Sequence, residues 1–300
     1  MASLGMIFQP EFPPERLREV AVAAERAELQ ELWVFEDCFK ESGIASLVAA
    51  LAATERMRVG VGILPMPLRN VAIAAMEFAT IERLFPERAR FGVGHGVLDW
   101  MGQLGARVAS PLTLMREYVP ALRALLAGKE VSVDGRYVHL DRVKLDWPPA
   151  QPVRVLAAGE GPKTVALTGE VADGLVITSG SSTAMVRASV ERARAARAAA
   201  DREASGPKAS DLISDFEVVV FLMADFGAGA DGRLEAEFDA WKLAGERRFG
   251  AAGTEDQVAA VVRELFEAGA TTVLLQSRGA EPDLLGYAAA AGRVAKLVLS

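Results

Sequence analysis

Apolar segments of strand length alternate with longer helical patterns along the whole 300-residue chain, and this alternation predicts an α/β fold built on a buried parallel sheet. About eight strand–helix units can be distinguished, a count that favours a closed (β/α)8 TIM barrel over an open sheet. No shift in composition marks an internal boundary, so we expect residues 1–300 to form a single barrel domain.

The predicted strands are short apolar runs, and the helices that follow them carry apolar residues at helical spacing. We predict strands at 4–8, 32–35, 57–64, 89–93, 153–158, 174–178, 216–223 and 271–276. We predict helices at 13–27, 43–54, 70–85, 111–126, 162–169, 183–203, 254–268 and 284–297. Ser110-Pro111 supports one helix start, since a capping residue precedes proline at the first helical position.

Two stretches, near 100–150 and near 225–250, resemble insertions in the loops of the barrel. In the first of them, Asp134-Gly135 stands between the alternating flanks of 131–138 and indicates a β-hairpin. His139 is then expected beyond the hairpin, on the surface. Small residues with glycine and proline predict a loop at 204–210.

Composition excludes several classes of function. A formal charge of −7 argues against nucleic acid or an anionic membrane as a partner held by bulk charge. No apolar run is long enough to cross a membrane, and the basic region of a signal peptide is missing, so we expect neither. Cys38 is the single cysteine, which precludes an intrachain disulfide and fits a cytoplasmic location. With two histidines besides it, we expect no metal site.

Active sites of such barrels lie at the carboxyl ends of the strands, and His95 is placed there, after the fourth predicted strand. His95 is either a structural histidine or a group that binds a ligand or transfers a proton, and its glycine neighbours should leave it uncovered. The surrounding Gly92–Gly96 segment lacks the G-x-G-x-x-G spacing, and no helix start follows it directly, so we exclude a Rossmann dinucleotide site.

The segment from Gly159 to Lys163 has the pattern of a strand end, a glycine turn and proline at the first helical position. Backbone N–H groups and the helix dipole would make this turn a phosphate site. Alternatively, glycine and proline only shape the turn, and the charge of Glu160 counts against an anion unless its side chain points away.

Asp37 and Cys38 end the second predicted strand. Asp37 would accept a hydrogen bond from a ligand or would only cap the following loop. Cys38 is interpreted as an inert small hydrophobic residue rather than a reactive thiol.

Three stretches resemble the bacterial luciferase-like family of flavin and deazaflavin enzymes, over nearly the whole chain. The most specific runs from Val153 to Gly174 and resembles the family's A-G-x-G-P … A-G-x-x-A-D-G signature. The others are 69–96 and Trp33-Val-Phe-Glu-Asp37. The resemblance implies a barrel with a flavin-type ring at the carboxyl ends of its strands.

The resemblance also implies a set of cofactor contacts. In relatives a non-proline cis peptide after the third strand lies against the back of the ring, and Gly62-Ile63 matches that position. Asp37 matches an aspartate that contacts the ring, and Val176 matches another cofactor contact. Residues Gly159, Glu160 and Gly161 match a backbone clamp for the phosphate.

The branch that the chain resembles most uses the deazaflavin coenzyme F420, but it departs from the sugar-phosphate dehydrogenases of that branch. Cys38 stands where they have a catalytic histidine, Val97 where they have a glutamate acid, and Ser181 where a lysine holds the sugar phosphate. The remaining candidates for proton transfer are His95 and Asp99. We expect a neutral or weakly charged organic substrate.

Three functions follow as hypotheses. The first is hydride transfer between a small organic substrate and coenzyme F420; the second is an FMN-dependent monooxygenase that uses molecular oxygen; the third is a flavin or deazaflavin binder without activity. Lys163 and Arg69 are candidates to contact the acidic tail by which the deazaflavin differs from FMN. We also expect a homodimer, because relatives pair through barrel helices, and 71–79 offers an alanine-rich face.

Overall fold

A computed structural model describes residues 2–205 and 216–300 and shows the predicted barrel of parallel strands with helices between them. The strands are β1 (Ser3–Phe8), β2 (Glu31–Val34), β3 (Arg58–Pro65), β4 (Ala89–Gly94), β5 (Val131–Asp134), β6 (His139–Val143), β7 (Val155–Ala158), β8 (Gly174–Ile177), β9 (Glu217–Phe226), β10 (Ala251–Gly253) and β11 (Thr272–Gln276). The order in the main sheet is β10-β9-β11-β1-β2-β3-β4-β7-β8. An additional pairing of β8 with β9 closes it into an eight-stranded barrel, to which β10 adds a short outer strand.

The helices are α1 (Leu17–Arg26), α2 (Gly43–Ala53), α3 (Val71–Leu84), α4 (Leu98–Gln103), α5 (Pro111–Leu126), α6 (Pro162–Val171), α7 (Thr183–Ser205), α8 (Ala230–Ala240), α9 (Glu255–Glu267) and α10 (Leu284–Leu299). Ser110 caps α5 by accepting a hydrogen bond from the Thr113 N–H, as its position predicted. Thr254 and Gln257 form the two bonds of a capping box at α9.

Two compact units can be described separately. The first comprises the residues up to Gly60, then Val176–Glu191 and Glu217–Ser300. Its core holds the rings of Trp33 and Phe35 against Phe221, with centroids 6.1 and 5.8 Å apart. The second comprises Val61–Leu175 and the end of α7 from Arg192 on. Its core stacks Phe78 of α3 on Phe91 of β4 at 4.0 Å.

Glu31, at the start of β2, is fully buried and belongs to a polar cluster in the first unit. Its carboxylate lies 2.8 Å from Arg58 Nη2 and accepts hydrogen bonds from Trp33 Nε1 at 2.7 Å and from Ser3 Oγ at 3.1 Å. Ser3, Glu31 and Arg58 lie where their strands begin, the end of a barrel at which polar residues serve stability rather than catalysis.

The eight barrel strands and the helices after them are confirmed, with ends shifted by a few residues. The largest shift among the strands is at β9, which continues to Phe226 rather than ending at 223, and among the helices α1 begins at Leu17 rather than at 13. The loop predicted at 204–210 lies, from residue 206 on, outside the described residues. Both regions interpreted as insertions contain extra elements: α4 and the β5–β6 hairpin in one, α8 and β10 near the other.

The hairpin is confirmed, but its second strand begins at His139, so His139 belongs to the hairpin instead of following it. Asp134 pairs with His139, and residues 135–138 form the connection. Glu117 of α5 explains why the second strand begins only at His139. Its carboxylate accepts hydrogen bonds from the backbone N–H groups of Arg136, Tyr137 and Val138, and these bonds hold the connection against the helix instead of against β5.

Candidate functional site

The ends of β3 and β4 pack closely in the second unit. The Gly62–Ile63 peptide bond, at the position that the resemblance indicated, is cis. Two glycines of β4 allow the approach: a Cβ on Gly92 would lie 2.9 Å from the Val61 carbonyl oxygen, and one on Gly94 would lie 3.0 Å from Ile63 Cγ1. The glycines that resembled a nucleotide loop therefore serve strand packing.

His95 follows directly and is half-buried, so its glycine neighbours leave it only partly uncovered. Both ring nitrogens are buried and have no hydrogen-bond partner within the described residues. Burial lowers the pKa of His95, so the ring is neutral near pH 7. A neutral imidazole carries one hydrogen-bond donor and one acceptor, and neither has a partner among the described residues.

Helix α4 packs beside the ends of β3 and β4. Its presence corrects the expectation that no helix start follows Gly96 directly. It begins at Leu98, with Val97 as a cap that makes no side-chain bond. Its buried Met101 lies against Gly96, where an added Cβ would be 3.0 Å from both Met101 Cε and Pro65 Cβ. Asp99 is exposed in the first turn of α4, close to His95 in sequence.

Helix α6 begins at the glycine turn after β7, and no side chain caps it. Gly161 is the exposed N-cap residue, and a Cβ added to it would meet no atom within 4 Å. Gly159 is tight by contrast, since its Cβ would lie 3.1 Å from the Val165 nitrogen. Glu160 and Lys163 are exposed. An uncapped helix start facing open space suits an anion.

The second half of the signature serves the scaffold. A Cβ on Gly169 of α6 would lie 2.1 Å from the Ala193 carbonyl oxygen, so only glycine lets α7 approach. Asp173 accepts hydrogen bonds from Arg123 Nη2 at 2.6 Å and from the Val155 N–H at 3.0 Å. That carboxylate therefore joins α5 to β7, ahead of β8.

In the first unit, Asp37 and Cys38 lie in the loop after β2. Burial and the Glu11 carboxylate raise the pKa of Asp37 to about 6, against the opposing effect of Lys40, whose Nζ is 3.9 Å away. Burial, with the negative charges of Glu36 and Asp37, raises the pKa of the Cys38 thiol. A buried thiol with a raised pKa has little thiolate, which agrees with an inert Cys38.

A second polar cluster in this unit joins Ser179, Gln276 and Ser277, which the sequence places at strand ends, to Gln9, which the sequence did not indicate. The buried Gln9, after β1, donates to the Ser277 carbonyl at 2.7 Å and accepts from Gln276 Nε2 at 2.9 Å. Ser179 Oγ donates to Gln276 Oε1 at 2.6 Å. One polar residue after an apolar run forms no motif, so nothing in the sequence singled out Gln9. Val176 is buried within β8.

Arg69, a candidate for the cofactor tail, is already engaged in the second unit. Its Nε lies 3.2 Å from Glu77 Oε2, so much of its charge is balanced. The structure thus brings together Gly62, Ile63 and His95 at neighbouring strand ends. Gly94 lies between Ile63 and Ala158, the residue before Gly159.

The arrangement in the second unit fits a flavin-type group. The open, uncapped start of α6 suits its phosphate, and the unpartnered nitrogens of His95 suit a polar ligand beside the strand ends. Within residues 2–205 and 216–300, no cluster of three or more His, Cys, Asp or Glu side chains is placed to bind a metal ion. None of the helices described is both long and apolar enough to span a bilayer.

The chain is similar in sequence to two enzymes named for related chemistry. It is 27% identical over 281 residues to the 5,10-methylenetetrahydromethanopterin reductase of Methanolobus tindarius, an alignment covering 93% of this chain and 76% of that protein. It is 30% identical over 184 residues to the F420-dependent glucose-6-phosphate dehydrogenase of Kineococcus radiotolerans. That alignment covers 57% of this chain and 54% of the dehydrogenase, so it spans only about half of that relative.

Solved structures share the fold. An F420-dependent secondary alcohol dehydrogenase with an F420-acetone adduct superposes with a TM-score of 0.85 at 20% identity, covering 99% of each chain. The oxygenating constituent of 3,6-diketocamphane monooxygenase from Pseudomonas putida, in complex with FMN, has a TM-score of 0.73 at 15% identity, covering 99% of this chain and 98% of that one. At these identities the likeness concerns the fold alone.

The model of the luciferase-like monooxygenase family matches residues 2–224, most of the chain and all of its barrel strands from β1 to β8. This match, the closed barrel and the signature at the start of α6 agree with one another. The protein is therefore an enzyme that belongs to the luciferase-like monooxygenase family.

Proposed function

We propose that this enzyme is an oxidoreductase that transfers a hydride between a small organic substrate and a deazaflavin of the coenzyme F420 type. The observation that carries the proposal is the uncapped start of α6 at Gly161, beside strand ends that hold an unpartnered His95. The name of the F420-dependent dehydrogenase of Kineococcus radiotolerans supports the deazaflavin. Because the chain is an enzyme, we drop the hypothesis of a binder without activity.

The deazaflavin, when bound, supplies the two-electron hydride chemistry. The start of α6 would hold its phosphate through the backbone N–H groups of the first turn. Gly159, Glu160 and Gly161 are the proposed clamp, and Gly62-Ile63 would support the ring. Asp37 and Val176 stay predicted cofactor contacts on the strength of the resemblance.

The neutral His95 imidazole is the proposed proton carrier, because its unprotonated ring nitrogen can accept the proton of a substrate hydroxyl, and in the reverse direction the protonated ring would give it back to the carbonyl oxygen. Asp99 is the second candidate, on the exposed first turn of α4. The substrate is proposed to be uncharged. Ser181, where relatives have the lysine for a sugar phosphate, donates its hydroxyl to the Thr178 carbonyl at 3.1 Å and supplies no cation.

The test is an equilibrium titration of the purified protein with coenzyme F420 and with FMN. We expect tighter binding of the deazaflavin, because its acidic tail gives Lys163 a further partner; Arg69 should matter less, since Glu77 balances it. Lys163→Ala should therefore weaken the deazaflavin selectively, and less so at high salt. Equal or tighter binding of FMN would favour the oxygen-dependent monooxygenase, the alternative that the FMN-bound structural neighbour supports.

Gly161→Asp tests the phosphate position directly. Aspartate is a favourable N-cap residue, so α6 should remain intact, while its charge would repel a phosphate. We expect a loss of about tenfold or more in affinity for both cofactors. Gly232→Asp, on the exposed surface of α8 where an added Cβ also meets no atom within 4 Å, is the control and should bind normally.

A further inference from the structure

A cavity of about 230 Å³ lies in the second unit, beyond the end of β3. Three segments that are distant in the sequence form its walls: residues 66–71 after β3, the first half of α5 with Val108 before it, and the end of the hairpin connection at 137–139. The carboxylate of Glu117 fixes the third wall, because it holds the backbone of 136–138 against α5. Apart from Arg69, none of the residues assigned above to the cofactor or to proton transfer lines this cavity.

Tyr118 of α5 is the polar group in the cavity that indicates a ligand. The residue is only 2% exposed and lines the cavity, and its hydroxyl forms no hydrogen bond within the described residues. Burial raises the pKa of Tyr118, against the opposing charge of Arg69, so the hydroxyl stays protonated and can donate. A buried hydroxyl without a partner is costly, and a ligand that accepts its hydrogen bond would remove that cost.

Two further donors lie in the same walls. Tyr137 Oη accepts a hydrogen bond from the Ser110 N–H at 2.9 Å, which leaves its own hydrogen to be donated. The Arg69 guanidinium is held in place, because its Nε lies 3.2 Å from Glu77 Oε2. Helix α3 also begins at this cavity, and the positive end of its dipole favours a negative charge.

Acidic side chains are absent from the described lining of the cavity, although several lie behind it. Each of these is already engaged: Glu77 with Arg69, Glu117 with the backbone N–H groups of the hairpin, and Asp134 with His139 at 3.3 Å. The cavity therefore presents hydrogen-bond donors without a carboxylate that could accept from them, and a ligand would have to supply the acceptor.

The volume and the remaining side chains limit what the ligand can be. Much of the lining is apolar, with Leu68, Val108, Leu114 and Val138 among its members. An apolar protein cavity of about 150 Å³ can hold benzene, so this larger cavity has room for a ring of that size with one polar group attached.

We propose that this cavity binds a small carboxylate with a compact apolar body, whose oxygens accept hydrogen bonds from Tyr118 and Tyr137 beside the Arg69 guanidinium. The proposal goes beyond the proposed function and holds whichever cofactor the enzyme uses.

The experiment titrates the purified protein with benzoate and with benzamide, its uncharged counterpart, and follows binding by ligand-observed NMR and by thermal unfolding. We expect benzoate to bind with a Kd of about 1 mM and to raise the Tm. Benzamide should bind about tenfold more weakly, because hydrogen bonds to an ionised acceptor are the stronger ones.

Variants test the position of the site. Tyr118→Phe removes the hydroxyl but keeps the ring in the core, so the variant should fold and should weaken benzoate by about tenfold. Tyr287→Phe is the matched control, since it removes another buried hydroxyl, on α10, that donates to the Ala224 carbonyl at 3.3 Å. That control, and Gly161→Asp at the start of α6, should bind benzoate as the unmodified protein does.

Absence of benzoate binding, equal binding of benzamide, or unchanged benzoate affinity in Tyr118→Phe would overturn the proposal. Loss of benzoate binding in Gly161→Asp, or displacement of benzoate by FMN, would also overturn it by placing benzoate in the cofactor site. Displacement by coenzyme F420 but not by FMN would identify the acidic tail of the deazaflavin as the carboxylate. Binding alongside both cofactors would identify a separate small molecule, and both of these results support the site. Failure of the proposed function is seen separately, in cofactor titrations that contain no benzoate.

Discussion

At the scale of single residues, His95 is half-buried, and both of its ring nitrogens are buried without a hydrogen-bond partner among the described residues. We expect His95→Ala to lower kcat by roughly 10²–10⁴ while changing cofactor affinity little, because the imidazole moves a proton rather than holding the cofactor. Burial lowers the pKa of His95 below its ordinary value of 6.5, so the neutral base, and the activity that needs it, should persist to a pH below that value.

Steady-state kinetics across pH, with a cofactor titration of the same variant, check this prediction. Unchanged turnover in His95→Ala would make the residue structural and move the search to Asp99, whose Asn variant is the natural next measurement.

Glu31 carries a prediction about stability. Its removal leaves Trp33 Nε1 and the Arg58 guanidinium without their buried partner, so Glu31→Ala should lower the free energy of unfolding by about 3–5 kcal/mol. Urea unfolding measures the change. Glu19→Ala, which breaks only the exposed pair with Arg16, should stay within about 0.5 kcal/mol of the unmodified protein. Similar losses in both variants would contradict the role of Glu31.

The positions of the candidate residues in the fold could be predicted from the sequence, but the burial of their side chains could not. The position of His95 at a strand end follows from the apolar run before it, and Gly161 follows from the strand–turn–helix pattern. That its ring nitrogens are buried depends on how the loops fold at the strand end. Helix α4, which packs Met101 against the neighbouring Gly96, has six residues and is too short to show a periodicity.

At the scale of elements, Glu117 ties the hairpin connection to α5. Burial alone would raise the pKa of Glu117, but hydrogen bonds from the N–H groups of Arg136, Tyr137 and Val138 outweigh it and lower the pKa. A lowered carboxyl pKa stabilises the folded state above the unfolded pKa, and this contribution is lost as the pH falls through the folded pKa.

We therefore expect Glu117→Ala to lower the protection of the amides at 136–138 against hydrogen exchange at neutral pH. Acidification of the unmodified protein should lower the same protection, measured relative to the intrinsic exchange rate at each pH. Exchange in α10, remote in the sequence, serves as the internal reference. Identical protection at 136–138 in the variant and the unmodified protein would show that Glu117 does not hold the hairpin connection.

The regular elements of the barrel could be predicted from the spacing of apolar residues. A buried parallel strand is a continuous apolar run, and the helix that follows it is apolar on the one face that packs against the sheet. The elements that the sequence did not predict are the short or exposed ones. Strand β10 has three residues, and α4 owes its position to tertiary contacts rather than to its own pattern. A tertiary contact also determines where β6 begins, because the carboxylate of Glu117 binds the backbone of 136–138 and the second strand of the hairpin starts only at His139.

At the scale of the whole molecule, α3 exposes the apolar side chains of Ile73, Met76 and Leu84. We propose that this face pairs two copies of the chain, as expected from the alanine-rich segment 71–79. Light scattering should give the mass of a dimer, and Met76→Glu should shift it towards a monomer because a charge cannot be buried unpaired in such an interface. Leu297→Glu, also exposed but on α10, should remain dimeric. A monomer in the unmodified protein would end this proposal.

The closed barrel could be predicted because eight strand–helix units leave few alternatives, and the family because its signature spans both the glycine turn before α6 and the residues that pack α6 and β7. The substrate could not, because its class depends on which side chains stay exposed after the loops have folded. Val97 and Leu98 look in sequence like any core residues, and only the structure shows them at the surface.

The two halves of the family signature, the glycine turn at 159–161 and the segment 169–174, have different roles. Gly169 and Asp173 keep α7, α5 and β7 together, and they would do so in a chain that catalysed nothing. Gly161, in contrast, is under no steric demand at all, since a side chain there would meet empty space. A search for catalytically competent relatives should therefore weight the glycine at the turn above the glycine and aspartate that follow it. Replacing Asp173 would report on folding, and replacing Gly161 on cofactor binding.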